Sequence, residues 1–358
     1  MNRDKLNTKY VGMDVHRDCI VIAVLNEEGR QVNQSIVPTE RAAILEFIQG
    51  LRGTVLVTFE ESTQSAWLYD LLQPYVSKVV VCNPRKLLKL GNKNDKLDAR
   101  KLAELLRNGQ LSPVYHGQNS TRTLKELGRA YTVLTEDTTR VMARLKAIYR
   151  GRALSTPGKQ LYSPRRRKEW LQLLEQKPGL RERAEYLFQQ LDSLRAIRRQ
   201  ARRRLIEESR KFVAADLLRS IPFLGPIRAA LLIGIVQTPY RFRGKRQFWS
   251  YCGLGLETRS SADYRVVAGQ IQRSKKPVLI TGLNFHHNHE LKNIFKAAAT
   301  TASSRSGPFC DYYQRLLAKG MQPEMARLTL ARKMATIALI LWKRGERFDP
   351  TELQSQAA

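Results

Sequence analysis

The chain has 358 residues, with 62 Lys and Arg against 32 Asp and Glu, a formal net charge of +30 and 42% hydrophobic residues. That hydrophobic content excludes a disordered basic tail. No apolar run reaches the ~18 residues of a membrane helix, and the opening MNRDKLNTKYVGMDVHRD holds no apolar signal core. The expectation is a soluble, unsecreted, folded protein with room for two cores, whose natural polyanionic partner is nucleic acid. Cys19, Cys82, Cys252 and Cys310 are far apart and form no C-x-x-C pair, so neither a zinc site nor a disulfide framework is expected. His286, His287 and His289 are the one metal-like grouping, and without accompanying cysteines they read as a polar cluster on a helix face.

In chain order, Tyr10, Val11 and Met13 lead into Asp14 on a first strand, and Cys19–Leu25 reads as a second. Asn26 to Gly29 is a turn signal, and Gln31 to Val37 returns as a third strand. Thr39 caps a helix with apolar Ile44, Leu45 and Ile48. Thr54–Phe59 is a buried-type strand ending at Glu60, Ala66 to Leu72 suits a helix, and Lys78–Cys82 is a further strand closed by Asn83-Pro84. Asp95 to Leu106 is a strong helix. The predicted order is β-β-β-α-β-α-β-α.

Four carboxylates fall at strand and helix ends within this pattern. Asp14 ends the first strand and Glu60 the fourth, while Asp95 and Asp98 share one helix face by their spacing of three. Singly, each is explained by a turn, an N-cap or a first-turn dipole contact. Together they can form one oxygen-lined site for Mg²⁺, which prefers hard oxygen ligands. Two such ions about 4 Å apart can activate an attacking oxygen and stabilise a leaving oxygen in phosphoryl transfer.

The segments Y-V-G-M-D-V-H, T-F-E-E-S, N-P-R-K and N-D-K-L-D-A-R-K-L-A resemble the DEDD transposases of insertion sequences, which include the Piv-type DNA invertases and the bridge-RNA-guided recombinases. The resemblance runs from about residue 9 to residue 349, and its most specific part is D-x-x-D-A-R-x-L-A after the Asp14 and Glu60 strands. It implies an α/β, RNase H-like (RuvC-like) N-terminal domain in which Asp14, Glu60, Asp95 and Asp98 hold divalent metal, Mg²⁺ or Mn²⁺.

Residues 119–212 read as helical. Leu124, Leu127, Tyr131, Leu134, Thr138, Val141, Leu145 and Ile148 follow heptad spacing, as do Ala184, Leu187, Leu191, Leu194, Ala201 and Leu205. Two helices that pack on each other or on a second subunit are expected, joined by a basic loop holding Arg165, Arg166, Arg167 and Lys168. From 141 to 210 there are 19 Lys and Arg against 7 Asp and Glu. That exceeds what solubility needs and points to phosphate contact, with Arg199, Arg202 and Arg203 among the candidates. Such contacts position a strand without reading its sequence. Tyr149, Tyr162, Trp170, Tyr186 and Phe188 suit either base stacking or core packing.

Leu217 to Leu232 resembles a helix-hairpin-helix element, with Ile221-Pro222 ending one helix, Gly225 in the turn and the next helix starting near Pro226. Exposed amides at such a turn can hold a DNA phosphate. Phe248 to Ser261, followed by a loop rich in Arg and Lys, resembles the second catalytic segment of the same transposases. There a G-L-x-P-like stretch precedes a nucleophilic serine. Counted from Gly253-Leu254, Ser261 takes that position and Ser260 is the near alternative. Arg259, Arg265, Arg273, Lys275 and Lys276 are the cations that can neutralise the phosphate. Leu256 stands where the family usually has Pro, Ala262 where it has Gly after the serine, and the hairpin reads I-P-F-L-G rather than I-P-G-I-G. Helices are expected at Phe295–Ala302 and Pro323–Trp342, the latter with Met325, Leu328, Ala331, Ala335 and Leu339 on a packed face.

The expected organisation is a catalytic domain at 1–115, a basic helical, coiled-coil region at 116–212 and a mostly α, serine-containing domain at 213–358. The resemblance implies Mg-dependent strand exchange through a covalent phosphoserine in a dimer or tetramer. It also implies cytoplasmic, nucleoid-associated action on element ends and target DNA, for many members guided by a structured noncoding RNA. Two other readings remain open from sequence: a metal-dependent RuvC-like resolvase or nuclease using water, and a non-catalytic nucleic-acid-binding protein.

Overall fold

Apolar alternation between residues 8 and 38 resolves into a meander of β1 (Thr8–Val15), β2 (Cys19–Leu25) and β3 (Gln31–Pro38). The computed structural model describes residues 7–84, 95–116, 121–259, 264–267, 270–273, 279–351 and 353. The chain divides into two units, Met1–Gly117 and Gln118–Ala358.

In the first unit the meander is followed by α1 (Arg41–Gln49), β4 (Thr54–Glu60), α2 (Ser65–Leu72), β5 (Lys78–Cys82) and α3 (Asp95–Arg107), in the predicted order. The five strands form one sheet ordered β3-β2-β1-β4-β5. The β1–β2 and β2–β3 pairs are antiparallel, and β4 runs parallel to both β1 and β5. Period-two alternation sorts the side chains by face. Val11, Met13, Ile20, Ile22, Val57 and Phe59 pack on Ile44 and Ile48 of α1 and Leu68 and Leu72 of α2. Each such fully buried side chain contributes roughly 1.5–3 kcal/mol. On the opposite face Val21 and Ala23 pack against Ala99 of α3.

The second unit is mostly helical. α4 (Arg122–Arg150) and α6 (Pro178–Ser209) pack on each other, with α5 (Arg167–Gln172) in the connection. Val141, Leu145 and Ile148 meet Ala184 and Leu191 along the heptad seams, and Phe188, outside the expected seam, is buried among them while Leu187 and Leu194 are partly buried. Four of the five aromatics of this region are core residues. Tyr149 donates to the Trp170 carbonyl (3.1 Å), Tyr162 donates to the Met142 carbonyl (3.1 Å), and Trp170 and Phe188 are buried. Tyr186 alone of the five is exposed.

Next come α7 (Val213–Arg219), α8 (Pro226–Val236) and α9 (Lys245–Tyr251). The helical hairpin forms as expected, but its left-handed residue is Phe223 (φ 69°), while Gly225 is an extended N-cap (φ −63°). The Arg/Lys-rich stretch after α9 is not a plain loop. It contains β6 (Leu256–Arg259) paired with β9 (Leu279–Leu283), and β7 (Tyr264–Val267) paired with β8 (Gln270–Arg273). Each strand is only four or five residues long, too short for an alternation signal to stand out.

The chain then forms α10 (His289–Ala302), α11 (Pro308–Ala318) and α12 (Pro323–Arg344). α12 is buried nearly all round, and Met325, expected in its packed face, is exposed while Met334 is buried. Among the described residues, no helix is long and apolar enough to cross a membrane.

Candidate active site

β1 and β4 run in parallel register, Gly12 beside Thr58 and Met13 beside Phe59. The next rung therefore sets Asp14 beside Glu60, on the face that Gly12 and Thr58 also share. α3 lies on that face. A Cβ on Gly12 would collide with the Ala99 carbonyl oxygen and stand 2.6 Å from the Ala103 nitrogen, so only glycine allows this approach. Asp98 precedes Ala99, and it lies one turn before Leu102, whose Cβ is 3.1 Å from the same point. The half-buried Asp98 thus lies on the sheet-facing stripe of α3, at the end of the sheet that carries Asp14 and Glu60. Asp95 begins the helix, and its side chain lies outside the described residues.

Sequence reasoning assigned no role to two histidines, one beside Asp14 and the other beside Glu61, the residue after Glu60. His16 Nε2 lies 3.2 Å from Asp14 Oδ2. His116 Nε2 lies 2.7 Å from Glu61 Oε2, and its ring stacks on Tyr69 at 4.9 Å. Cys82 pairs with Glu60 across the β4–β5 ladder. Burial, and then the Glu60 charge, push its thiol up to about 11, so it stays protonated at neutral pH. Asp14, Glu60 and Asp98 offer only oxygen donors, which suits a hard divalent cation. Among the described residues, no three His, Cys, Asp or Glu side chains are grouped to hold an ion as they stand.

In the second unit, the turn at Gly253-Leu254-Gly255 leads into β6 and towards the serine pair. Ser260, Ser261, Lys275 and Lys276 lie outside the described residues, as do the side chains of Arg259, Arg265 and Arg273. The turn itself is held from several sides. Gly253 has φ +65°, and a Cβ there would meet the His287 ring, 2.5 Å from its Cγ. Asn284 donates its backbone N–H to the Gly255 carbonyl (3.0 Å) and its amide to the Ser250 carbonyl (3.2 Å). Arg332 of α12 donates Nε to the Leu254 carbonyl (2.7 Å). Arg332 Nη2 and His287 Nε2 are buried without a hydrogen-bond partner among the described residues. Sequence reading missed Arg332 because it comes from a distant helix. The histidines do not form a helix face: His286 and His287 precede α10, Asn288 caps it, and only His289 is helical.

The basic candidates divide by their surroundings. Arg166 pairs with Glu169 (2.9 Å). Arg167 pairs with Asp192 (2.7 Å) and lies over the Phe188 ring at 4.9 Å. Arg165, Lys168, Arg199, Arg202 and Arg203 are exposed, and none forms an ion pair among the described residues. At the hairpin, Arg228 donates to the Phe223 carbonyl (2.7 Å), bracing the strained turn before Gly225.

Comparison with known proteins gives three matches. Residues 11–151 match a family model for transposases, the DEDD type of IS110. Residues 215–314 match the model of the transposase IS116/IS110/IS902 family. A stretch of 144 residues is 26% identical to the insertion element IS116 uncharacterized 44.8 kDa protein of Streptomyces clavuligerus, covering 40% of this chain. The match spans about a third (33%) of the length of that curated relative.

Proposed function

The chain belongs to the IS110 family of DEDD transposases, and from that membership we propose that it cuts and rejoins DNA by phosphoryl transfer. The observation that supports this most is the convergence of Asp14, Glu60 and the Asp98 turn of α3 on one face of one sheet. In this reading the first unit is an RNase H-like (RuvC-like) domain. Asp14, Glu60, Asp95 and Asp98 would hold Mg²⁺ or Mn²⁺ there. When bound, the metal supplies Lewis-acid stabilisation of charge on phosphate oxygens.

Ser261 is the proposed nucleophile, with Ser260 the neighbour that competes for the role. The serine hydroxyl loses its proton and its oxygen bonds to the phosphorus of a DNA phosphodiester. One sugar oxygen leaves and takes up a proton as a free hydroxyl. A hydroxyl of a partner strand then attacks the phosphoserine, frees the serine and restores a phosphodiester on the other DNA. Each step forms one P–O bond for the one it breaks, so no nucleotide hydrolysis is required. Arg259, Arg265, Arg273, Lys275 and Lys276 balance phosphate charge near the serine. Arg165, Lys168, Arg199, Arg202 and Arg203, with the amides at Gly225, hold nucleic-acid backbone, while Arg166 and Arg167 are engaged by Glu169 and Asp192. The chain acts at the nucleoid as a homo-dimer or tetramer on element ends and target DNA. A structured noncoding RNA guides it, a reading supported by the surplus of cations between residues 141 and 210.

The test is joint formation. Element-end and target DNA are incubated with the chain and Mg²⁺, and recombinant junctions are amplified. The wild type yields junctions, and Asp14→Asn yields none while still binding DNA. Undiminished junctions with Asp14→Asn would remove the carboxylates from the chemistry. Expression with flanking noncoding DNA tests the guide: one discrete structured RNA copurifies, and only heterogeneous cellular RNA would count against it.

A further inference from the structure

The C-terminal end of α4 and the loop after it enclose a polar cleft of about 510 Å³ that the proposed chemistry does not use. Its cations are Lys146 and Arg150, one helical turn apart on the same face. Neither side chain forms an ion pair or a hydrogen bond among the described residues. The other wall is Leu154, Ser155 and Thr156. Thr156 is 7% exposed, and its hydroxyl is buried with no hydrogen-bond partner. An unsatisfied buried hydroxyl is costly, so something that accepts from it is expected. The chain bends into this wall at Ala153, a non-glycine residue with φ +57°. Such strain is retained where the surroundings impose it and clusters at ligand sites.

A helix C-terminus ordinarily repels anions through its free carbonyls. Here the carbonyls of Ala147, Tyr149 and Arg150 accept from the amides of Gly151, Arg152 and Ala153. The cations therefore dominate the cleft. Two unpaired cations beside a donor hydroxyl match one phosphate with two charged contacts and one neutral donor.

We propose that this cleft seats one phosphodiester of a nucleic-acid backbone, between Lys146 and Arg150 on one side and the Thr156 hydroxyl on the other. The adjoining sugar lies against Leu154, and Ser155 is the second hydroxyl within the wall. A χ1 rotation of Thr156 delivers its hydroxyl to a phosphate oxygen. The cleft lining shares no residue with the Arg165–Lys168 and Arg199–Arg203 clusters, and it is tested by binding alone, whether or not strand exchange occurs.

The full chain is titrated with fluorescein-labelled 20-mer DNA and, separately, RNA of the same sequence, across a range of salt concentrations. Inorganic phosphate serves as a competitor. The variants are the double Lys146→Gln/Arg150→Gln, Thr156→Val, and the charge-matched control Arg305→Gln/Lys319→Gln, two exposed cations that follow α10 and α11. The double variant lowers affinity at least tenfold beyond the control and flattens the salt dependence by about one unit, the change that one lost phosphate contact gives. Thr156→Val raises the unfolding temperature of the free chain, because it removes an unsatisfied hydroxyl, yet weakens oligonucleotide binding several-fold. Loss on RNA alone or on DNA alone identifies which strand supplies the phosphate. A double variant that behaves like the control, or Thr156→Val binding both oligonucleotides as tightly as the wild type, overturns the proposal.

Discussion

Gly12 faces the Ala99 carbonyl with no room for a side-chain carbon between strand and helix. That contact seats α3 on β1 and fixes where Asp98 stands relative to Asp14. Gly12→Ala must push a helix backbone away, not a flexible side chain. Overpacking of this kind costs about 1–3 kcal/mol, and more where backbone must move. The expected result is a fall in stability of about 3 kcal/mol by thermal or urea unfolding, with loss of strand cleavage. Cleavage at the wild-type rate in Gly12→Ala would show that the position of α3 is not critical.

The carboxylates give a prediction that needs no DNA. A cation that draws Asp14, Glu60 and Asp98 together binds only the folded state and so stabilises it. Mg²⁺ should raise the unfolding temperature of the wild type, and EDTA should reverse the rise. In Glu60→Gln and Asp98→Asn the rise should be largely absent, and cleavage should fall by at least about 100-fold. Equal Mg²⁺ shifts in the variants would place the ion elsewhere.

Arg167 and Arg199 illustrate two fates for a basic side chain. Arg167 is held by Asp192 and Phe188. Arg167→Ala should cost about 1 kcal/mol of stability, the sum of a partly exposed ion pair and a cation–π contact. Exposed Arg199, Arg202 and Arg203 hold nothing comparable together. Their triple Gln variant should keep its stability within about 0.5 kcal/mol and flatten the salt dependence of duplex binding by about 2–3 units. Unfolding curves and salt titrations of both variants check the contrast.

The turn that leads to the serine segment should be sensitive to pH. Burial first, then the Lys292 and His289 charges, hold the His287 imidazolium below its ordinary range, against the opposing pull of the Asn284 carbonyl. A histidine with a depressed folded-state pKa is stabilising above the unfolded value near 6.5. That contribution is lost as pH falls below 6.5 towards the folded value. Wild-type unfolding temperature should therefore drop more steeply between pH 7.5 and 5 than that of His287→Gln. Gly253→Ala, which meets the same ring at positive φ, should destabilise by about 2 kcal/mol. Adding His287→Ala should recover part of that loss, a coupling that a double-mutant cycle measures.

The first hundred residues were legible in the sequence because their apolar runs are strand-length and bounded by turn signals, and their carboxylates fall at element ends. What could not be read there is the contact that joins them. Gly12 looks like any strand glycine until α3 is seen against it. The short strands β6 to β9 carry too few residues for a period to show, so a basic stretch read as loop. Phe223 takes the left-handed conformation that the neighbouring Gly225 advertised, because Arg228 fastens the turn from its far side. Tyr149, Tyr162, Trp170 and Phe188 suited stacking or packing equally by type, and only the hydrogen bonds of two of them and the burial of all four in the core decide for packing. Arg332 reaches the Leu254 carbonyl from a helix far along the chain, a pairing that no local pattern contains.

In the proposed chemistry serine, not water, takes the phosphate. The most direct measurement is peptide mapping by mass spectrometry of chain trapped on a nicked element-end DNA, after nuclease digestion. The expected product is a nucleotide-bearing peptide with the modification on Ser261, absent in Ser261→Ala and in Asp14→Asn. Hydrolysed DNA ends with no modified peptide, undiminished in Ser261→Ala, would contradict it and identify water as the nucleophile.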